Sequence, residues 1–385
     1  MSHLFRLPAA GLALFLLAGD PASAQPDVRV SSSSGPLVVQ TVATGLEHPW
    51  GLAFMPDGRL LVTERPGRLR IVSPGGELSS PVAGAPEVSA RGQGGLLDVA
   101  LAPDFGESGF VYLSYAEPRE GGAGTSVARG RLTESDGMAR LEDLEVIFRQ
   151  QPAAGGGTHF GSRLAFGRDG GLFVTLGDRG SLRSQVQQLS THIGKVVRIN
   201  ADGSVPGDNP FREREGARPE IWSLGHRNMQ GAAIDPATGQ LWTVEHGARG
   251  GDELNRPEAG KNYGWPIVSY GREYGGGRIG EGTAKPGMEP PVHVWDPSIS
   301  PSGLAFYTGD LLPGWKGDLF TGGLSGLRLT RLRLDPARTQ VIETEALLED
   351  LRARIRDVRQ GPDGALWLLT DDARNGRVLR VGPAD

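Results

Sequence analysis

The sequence predicts an all-β fold, a single six-bladed β-propeller of four-stranded antiparallel blades. Three observations carry that prediction. A short hairpin motif recurs six times along the 385 residues. The 59 glycines and 28 prolines suit many short strands joined by tight turns. No helical periodicity of useful length is present except around Ser184–Ser190.

Each copy of the motif is a few apolar residues, a Pro-Asp-Gly-like turn, then an alternating apolar strand. The first runs from Gly51-Leu52-Ala53-Phe54 through Pro56-Asp57-Gly58 to Leu60-Leu61-Val62. The second links Val99-Ala100-Leu101 through Pro103-Asp104 to Val111-Tyr112-Leu113, and the third Leu164-Ala165-Phe166 through Asp169-Gly170 to Leu172-Phe173-Val174. The fourth joins Ala232-Ala233-Ile234 to Leu241-Trp242-Thr243. A looser fifth joins Gly303-Leu304-Ala305-Phe306 to Asp318-Leu319-Phe320, and the sixth Val358 through Pro362-Asp363-Gly364 to Leu366-Trp367-Leu368. Pro presets φ at the first turn position, and Asp or Gly tolerates the backbone conformations of the later ones. One hairpin cannot bury its own apolar face, so regular repetition implies stacked sheets. Roughly 60 residues per copy is one four-stranded blade plus a loop. A β-sandwich with similar turns is the competing fold. The copies are spaced most widely between residues 111 and 304, so the long loops, where sites are built on rigid scaffolds, belong there.

At the N-terminus, His3 and Arg6 precede the apolar run Leu12–Leu17, and Ala22-Ser23-Ala24 offers small residues for cleavage. This pattern is that of an export signal over residues 1–24, leaving 25–385 as one domain. The run is too short for a permanent anchor, and no second stretch is long enough to span a bilayer. A secreted or periplasmic location is the expectation. The chain has no Cys, which excludes disulfides and thiolate metal sites. A formal net charge of −5 argues against nucleic acid as a partner.

Three histidines sit beside Gly-rich turns: His159, His226 and His246. Singly, a loop histidine is more often a packing residue. His159 differs because it precedes a strand whose hairpin ends at Gly177-Asp178-Arg179-Gly180. A carboxylate at the far end of a hairpin can return beside its start, so Asp178 is placed to orient His159 as a general base. No serine elbow or His-Glu-x-x-His zinc motif accompanies them. In Arg354-Ile355-Arg356 the period of two puts both guanidiniums on one face. Such a pair grips a polycarboxylate or phosphate ligand, or else forms salt bridges to Glu349-Asp350; spacing alone leaves both open. Gly250-Gly251-Asp252-Glu253-Leu254-Asn255 and Asn262-Tyr263-Gly264 mix carboxylate and carbonyl oxygens as an irregular calcium loop does, though such loops are commonly only solvated. No Gly-x-Gly-x-x-Gly stands in a strand–turn–helix context, which argues against a dinucleotide.

Together these segments resemble the glucose/sorbosone dehydrogenase family, the soluble pyrroloquinoline-quinone-dependent aldose sugar dehydrogenases. The matching stretches are Gly92-Gln93-Gly94-Gly95-Leu96-Leu97, Thr158-His159-Phe160-Gly161-Ser162-Arg163-Leu164 and Gly177-Asp178-Arg179-Gly180. Gly225-His226-Arg227-Asn228-Met229-Gln230-Gly231, Asn262-Tyr263-Gly264-Trp265-Pro266 and Arg354-Ile355-Arg356-Asp357-Val358 come next in the family's order, within a resemblance that runs from about residue 40 to 381.

The resemblance implies that His159 is the general base and Asp178 its orienting carboxylate. It implies that Arg227 and Asn228 lie beside the reactive quinone carbonyl, that Gln93 contacts the sugar, and that Arg354 and Arg356 grip the cofactor's carboxylates. Gln230 and His246 fall where the family approaches the cofactor, although His is not the expected residue type there. Gly247 and Ala248 match the carbonyls that hold a catalytic Ca2+; Glu253 and the Tyr263 carbonyl match a second, structural calcium site. Two departures stand out. Ser325, in Gly323-Leu324-Ser325-Gly326, occupies the place of a cofactor-contacting Lys, with Arg328 as a candidate substitute. Thr158 replaces an acidic residue of the glucose-preferring branch. The activity implied is oxidation of aldoses at C1, with pyrroloquinoline quinone (PQQ) and calcium as cofactors and an unidentified electron acceptor. A calcium-dependent lactonase and a non-catalytic binding propeller are the alternatives.

Overall fold

The computed structural model describes residues 27–384, so the proposed export signal over 1–24 lies outside the described residues. The first three motif copies each open a blade. Blade 1 holds strands Pro49–Phe54, Leu60–Glu64 and Arg68–Val72. Blade 2 holds Leu96–Leu101, Phe110–Arg119, Gly122–Ser135 and Met138–Arg149; blade 3 holds Gly161–Phe166, Leu172–Leu176, Lys195–Ile199 and Ile221–Leu224. Blade 4 comprises Met229–Ile234, Leu241–Glu245, Asp252–Asn255 and His293–Trp295, and blade 5 Pro301–Phe306, Leu319–Gly323, Arg328–Leu334 and Val341–Leu347. Blade 6 takes Ile355–Gln360, Leu366–Thr370 and Gly376–Pro383 from the C-terminus and Leu37–Leu46 and Val28–Val30 from the N-terminus. All pairings within the blades are antiparallel, as in Val39 opposite Val381.

The first strand of each blade packs on the first strand of the next, and the sixth returns to the first. The six-bladed propeller is therefore closed. Mixing the two chain ends in blade 6 removes the free edges that an open stack would expose. Blade 1 keeps three strands plus an isolated Val72–Leu78 bridge, whereas blade 6 carries a fifth strand. The one stretch with helical periodicity, Ser184–Ser190, meets only a 3-10 turn, Arg183–Gln185. With just three residues in helical geometry, the segment follows the loop that anchors Lys195 rather than its own propensity. Among the described residues no helix is long and apolar enough to cross a membrane.

Apolar faces interlock between neighbouring blades. Leu61, Leu69 and Ile71 of blade 1 meet Leu96, Val99, Val111 and Leu113 of blade 2. Burial of each such side chain contributes about 1.5–3 kcal/mol. The central channel instead holds balanced charge. Arg163 pairs with Asp98 at 3.2 Å and Asp357 at 2.9 Å, and Arg359 pairs with both acids at 3.0 Å. Two cations and two anions thus tie blades 2, 3 and 6 together, and removing any one would strand a buried charge.

Every blade's first pairing contains a register irregularity near the start of its inner strand, for example Pro49/Leu52, Met229/Gly231 and Ile355/Asp357. A bulge re-aims the side chain at the irregularity. Trp50, Gln230 and Arg356 occupy three of these positions, and all three face the same cavity at one mouth of the channel.

Candidate active site

That cavity has a volume of about 290 Å³. Blade 1 contributes Trp50 and the turn residue Arg65; Gln93 comes from the segment entering blade 2 and His159 from that entering blade 3. Arg227, Gln230, His246, Gly247 and Ala248 come from blade 4 and its entrance, and Arg354, Arg356 and Asp371 from blade 6.

His159 sits at φ 54°, a left-handed conformation that turns its ring into the mouth. Its N–H donates to Gln93 Oε1 at 2.7 Å. Its Nδ1 lies 2.6 Å from Asp178 Oδ1, which also accepts the Gly180 N–H at 2.7 Å, while Asp178 Oδ2 accepts Trp265 Nε1–H at 2.9 Å. Burial alone would raise the Asp178 carboxyl, but His159, the Gly180 N–H and Arg227 hold it below its ordinary value. An ionised carboxylate only accepts, so Nδ1–H donates to it, and in the neutral tautomer this leaves the lone pair on Nε2. Trp265 also lies under Arg227, whose guanidinium carbon is 5.3 Å from the ring centroid.

Arg354 and Arg356 both turn to Asp371, at 3.4 and 2.8 Å, and not to Glu349-Asp350. Arg356 also donates to Gln230 Oε1 at 3.1 Å and Ser302 Oγ at 3.3 Å, and Arg354 to the Leu324 carbonyl at 3.1 Å. Arg356 is nearly buried, with 7% of its side chain exposed against 48% for Arg354. Burial pushes the Arg356 guanidinium down to about 10 against the pull of Asp371. Asp371, which also meets His48 Nδ1 at 2.7 Å, would be raised by burial, but Arg356 and His48 keep it well below its usual range. Arg328, the candidate substitute for the missing Lys, pairs with Glu349 at 3.4 Å and does not line the cavity. Ser325 is exposed and bonds Ser300 Oγ at 2.9 Å.

Arg227 is fixed by its N–H to Glu245 Oε2 at 2.6 Å, by a bond to the His246 carbonyl at 3.0 Å and by a shorter one to the Gly247 carbonyl. Asn228 stands behind the wall, its Oδ1 accepting from Gly161 and Gln230 at 3.2 Å each. His246 donates Nε2–H to the Pro301 carbonyl at 3.0 Å; desolvation, then Arg356 and Arg227, push it down to about 3, so the ring is neutral. The lining thus sets four guanidiniums, Arg65, Arg227, Arg354 and Arg356, against the single carboxylate Asp371. Nε of Arg65, Arg227 and Arg356 and Nδ2 of Asn228 have no partner among the described residues. Buried donors are rarely left so, and this set suits an anionic ligand rich in acceptors.

Glu253 and Tyr263 do not line the cavity. The segment expected to be an irregular calcium loop is largely strand, because Asp252–Asn255 pairs with Thr243–Glu245 and His293–Trp295. Asp252 is engaged by the N–H groups of Gly247, Ile299 and Ser300. Desolvation and the neighbouring Glu245 push Glu253 up to about 8, while Asn255 Nδ2 bridges the two glutamates and Asn255 Oδ1 lacks a partner. Crowded carboxylates beside an unpaired carbonyl oxygen fit a divalent cation. The Tyr263 ring stacks on His226 at 4.8 Å, next to Glu245. At Gly247 and Ala248, the Gly247 carbonyl is already capped by the Arg227 cation, evidence that this oxygen faces positive charge. Among the described residues no group of three His, Cys, Asp or Glu side chains is arranged for a metal, so an ion here depends on backbone carbonyls.

Comparison with known proteins decides the family. The family model described as Glucose / Sorbosone dehydrogenase matches residues 46–380. The chain belongs to the glucose/sorbosone dehydrogenase family. It is 46% identical to aldose sugar dehydrogenase YliI of Escherichia coli, over 90% of this chain and 92% of that one. A crystal structure of a glucose dehydrogenase is 52% identical, with a TM-score of 0.87 over 90% of this chain and 99% of the other. The PQQ-bound aldose sugar dehydrogenase of Streptomyces coelicolor is 32% identical, with a TM-score of 0.73 over 90% and 98%.

In this member of the glucose/sorbosone dehydrogenase family, sequence motifs alone did not single out Trp50, Arg65, Trp265 or Asp371 for the site. A weak signal for Asp371 was available: it directly follows the second strand of blade 6, Leu366–Thr370, one step earlier in the repeat than Asp178, which stands two residues beyond Leu172–Leu176 in blade 3.

Proposed function

We propose that this dehydrogenase oxidises aldose sugars at C1 to lactones, using pyrroloquinoline quinone and Ca2+, outside the cytoplasm. One observation carries the reading: a carboxylate-oriented His159 shares a single cavity with four guanidiniums opposed by one acid. Arg354 and Arg356 would hold the carboxylates of the quinone, with Arg227, Gln230 and His246 along its edge and Asn228 behind them, bonded to Gln230. Gly247 and Ala248 would offer carbonyls to one calcium, and Glu253 with the Tyr263 carbonyl would hold a second. If bound, the quinone would supply the two-electron acceptor and the calcium the Lewis acid.

The chain's own part is proton management and charge. His159 Nε2 takes the proton of the sugar's C1 hydroxyl. Asp178 stabilises the imidazolium that results, held in line by Trp265 and Gly180. Arg227, pinned by Glu245 and two carbonyls, is a fixed cation where negative charge grows and costs no reorganisation. Gln93, bonded to the His159 backbone, contacts the sugar. A lactonase would need a carboxylate-rich metal centre, whereas the only acid of the lining is neutralised by Arg354 and Arg356. Neither O₂ nor a nicotinamide is the expected oxidant.

The test is sugar-dependent reduction of an artificial dye by purified protein loaded with the quinone and calcium. No reduction with any aldose, alongside hydrolysis of a lactone, would replace this reading with the hydrolase. N-terminal sequencing of the exported protein tests cleavage after residue 24.

A further inference from the structure

Asp371 divides its two oxygens between the clamp and a histidine. Arg354 and Arg356 both reach Oδ2, while His48 Nδ1 lies 2.7 Å from Oδ1. The His48–Asp371 pair repeats the build of His159 and Asp178, joined Nδ1 to Oδ1 at 2.6 Å. Each histidine stands at the entrance to a blade's first strand in a left-handed conformation, φ 46° at His48 and 54° at His159. Place separates them. His159 lines the cavity and His48 does not, so His48 acts on a ligand there only through its neighbours. Those neighbours are three of the four lining guanidiniums. Asp371 links His48 to Arg354 and Arg356, and the His48 carbonyl accepts the Arg65 N–H at 3.2 Å. The other acids around His48 are committed elsewhere. Glu47 and Glu64 pair with Arg68 at 2.8 and 2.7 Å. The Asp372 carboxylate accepts the N–H groups of Arg374 and Asn375 at 2.8 Å, and its backbone carbonyl accepts the His48 N–H at 2.7 Å. The His48 side chain is 32% exposed and its Nε2 has no partner among the described residues, so water can protonate it.

We propose that His48 is a positioning residue for the cavity's anionic ligand, taking up a proton as the ligand's carboxylates draw Arg354 and Arg356 away from Asp371. The proposal rests on the quinone reading above. With the cavity empty, the two guanidiniums neutralise Asp371. Once they turn to a ligand, Asp371 keeps His48 alone and gains new negative charge beside it. Negative charge nearby favours the charged imidazole, and the imidazolium then replaces the arginines as counter-ion of Asp371. His48 thereby frees the clamp without stranding a buried carboxylate, which would be costly. Linkage sets the sign. A proton taken up on binding means that protonated His48 tightens the ligand, so affinity is greatest at low pH and falls as His48 loses its proton.

Calorimetric titration of the full chain with pyrroloquinoline quinone and calcium, in buffers of different ionisation enthalpy, counts the protons taken up. Runs between about pH 5 and pH 8 span the range in which histidine changes charge. Since His159 also lines the cavity, the readout is the difference between the wild type and a His48 variant. His48→Asn keeps a donor toward Asp371 and tolerates the left-handed backbone, but cannot titrate. Its uptake should drop by up to about one proton per quinone, and its affinity should lose a pH slope of up to about 10-fold per unit. His48→Lys carries a fixed charge across this range; it should show the same loss of uptake while staying tight at the alkaline end. Uptake unchanged in either folded variant would overturn the proposal, even if affinity falls, because a merely structural histidine moves no proton. Trimesate, a tricarboxylate that is no oxidant, separates this proposal from the dehydrogenase reading. If the quinone fails to bind but trimesate shows His48-dependent uptake, the dehydrogenase reading fails and the role of His48 stands. Sugar-dependent dye reduction with His48-independent uptake defeats this proposal alone, and binding of neither ligand defeats both.

Discussion

Trp265 Nε1–H donates to Asp178 Oδ2 at 2.9 Å, closing a chain of contacts from the loop after blade 4's third strand to the ring of His159. Asp178 is 1% exposed, so each of its oxygens depends on protein donors. Trp265→Phe keeps the ring under Arg227 and removes the donor alone. A hydrogen bond to a charged group contributes about 1.5–3 kcal/mol, so kcat is expected to fall by roughly 10-fold or more with quinone affinity unchanged. Steady-state kinetics beside a quinone titration checks this, and an equal loss of both would make Trp265 merely structural.

His159→Ala removes the only lining imidazole whose Nδ1 is held by a carboxylate. Turnover should drop at least about 10²-fold, the lower end for losing a general base, while quinone still binds. Loss of quinone binding instead would show His159 to be a cofactor ligand.

The two arginines of blade 6 should not be equivalent. Arg356, with 7% of its side chain exposed, also organises Gln230 and Ser302, whereas Arg354 is 48% exposed. Truncating a buried charge partner costs about 2–5 kcal/mol and an exposed one far less. Quinone affinity should therefore fall more in Arg356→Ala than in Arg354→Ala, read by fluorescence titration. The reverse order would count against the clamp.

Acid stability offers a measurement free of cofactor. Burial alone would raise the Asp371 carboxyl, yet Arg356, His48 and Arg354 hold its folded pKa below the ordinary 3.8. A depressed carboxyl contributes stability above its unfolded pKa and loses it as pH falls through the folded value. The melting-temperature gap between wild type and Asp371→Asn should thus be full near neutrality and shrink below about pH 4. A gap that is flat with pH would show that the Asp371 charge adds nothing.

How much of the fold and site was legible in the chain depended on range. The hairpin motif is written within some twenty residues, because turn chemistry and strand alternation are local; six copies made the closed ring foreseeable. The His159–Asp178 pair was also readable, since both residues belong to one hairpin. Motif resemblance then supplied the candidate cofactor contacts, and the lining of one cavity gathers His159, Gln93, Arg227, Gln230, His246, Gly247, Ala248, Arg354 and Arg356. Asn228 proved to stand behind that lining, and Glu253 and Tyr263 apart from it.

By itself, then, the sequence determined the blade unit, its number, and which residue types meet within a hairpin. Only the tertiary structure decided that Asp371 rather than Glu349-Asp350 answers the two arginines, that Trp265 reaches Asp178 across 87 residues, and that Arg328 is spent on Glu349. The reason is loop closure. Contacts between blades depend on how long segments fold back over the ring, and no local pattern records which distant partner a buried charge will find.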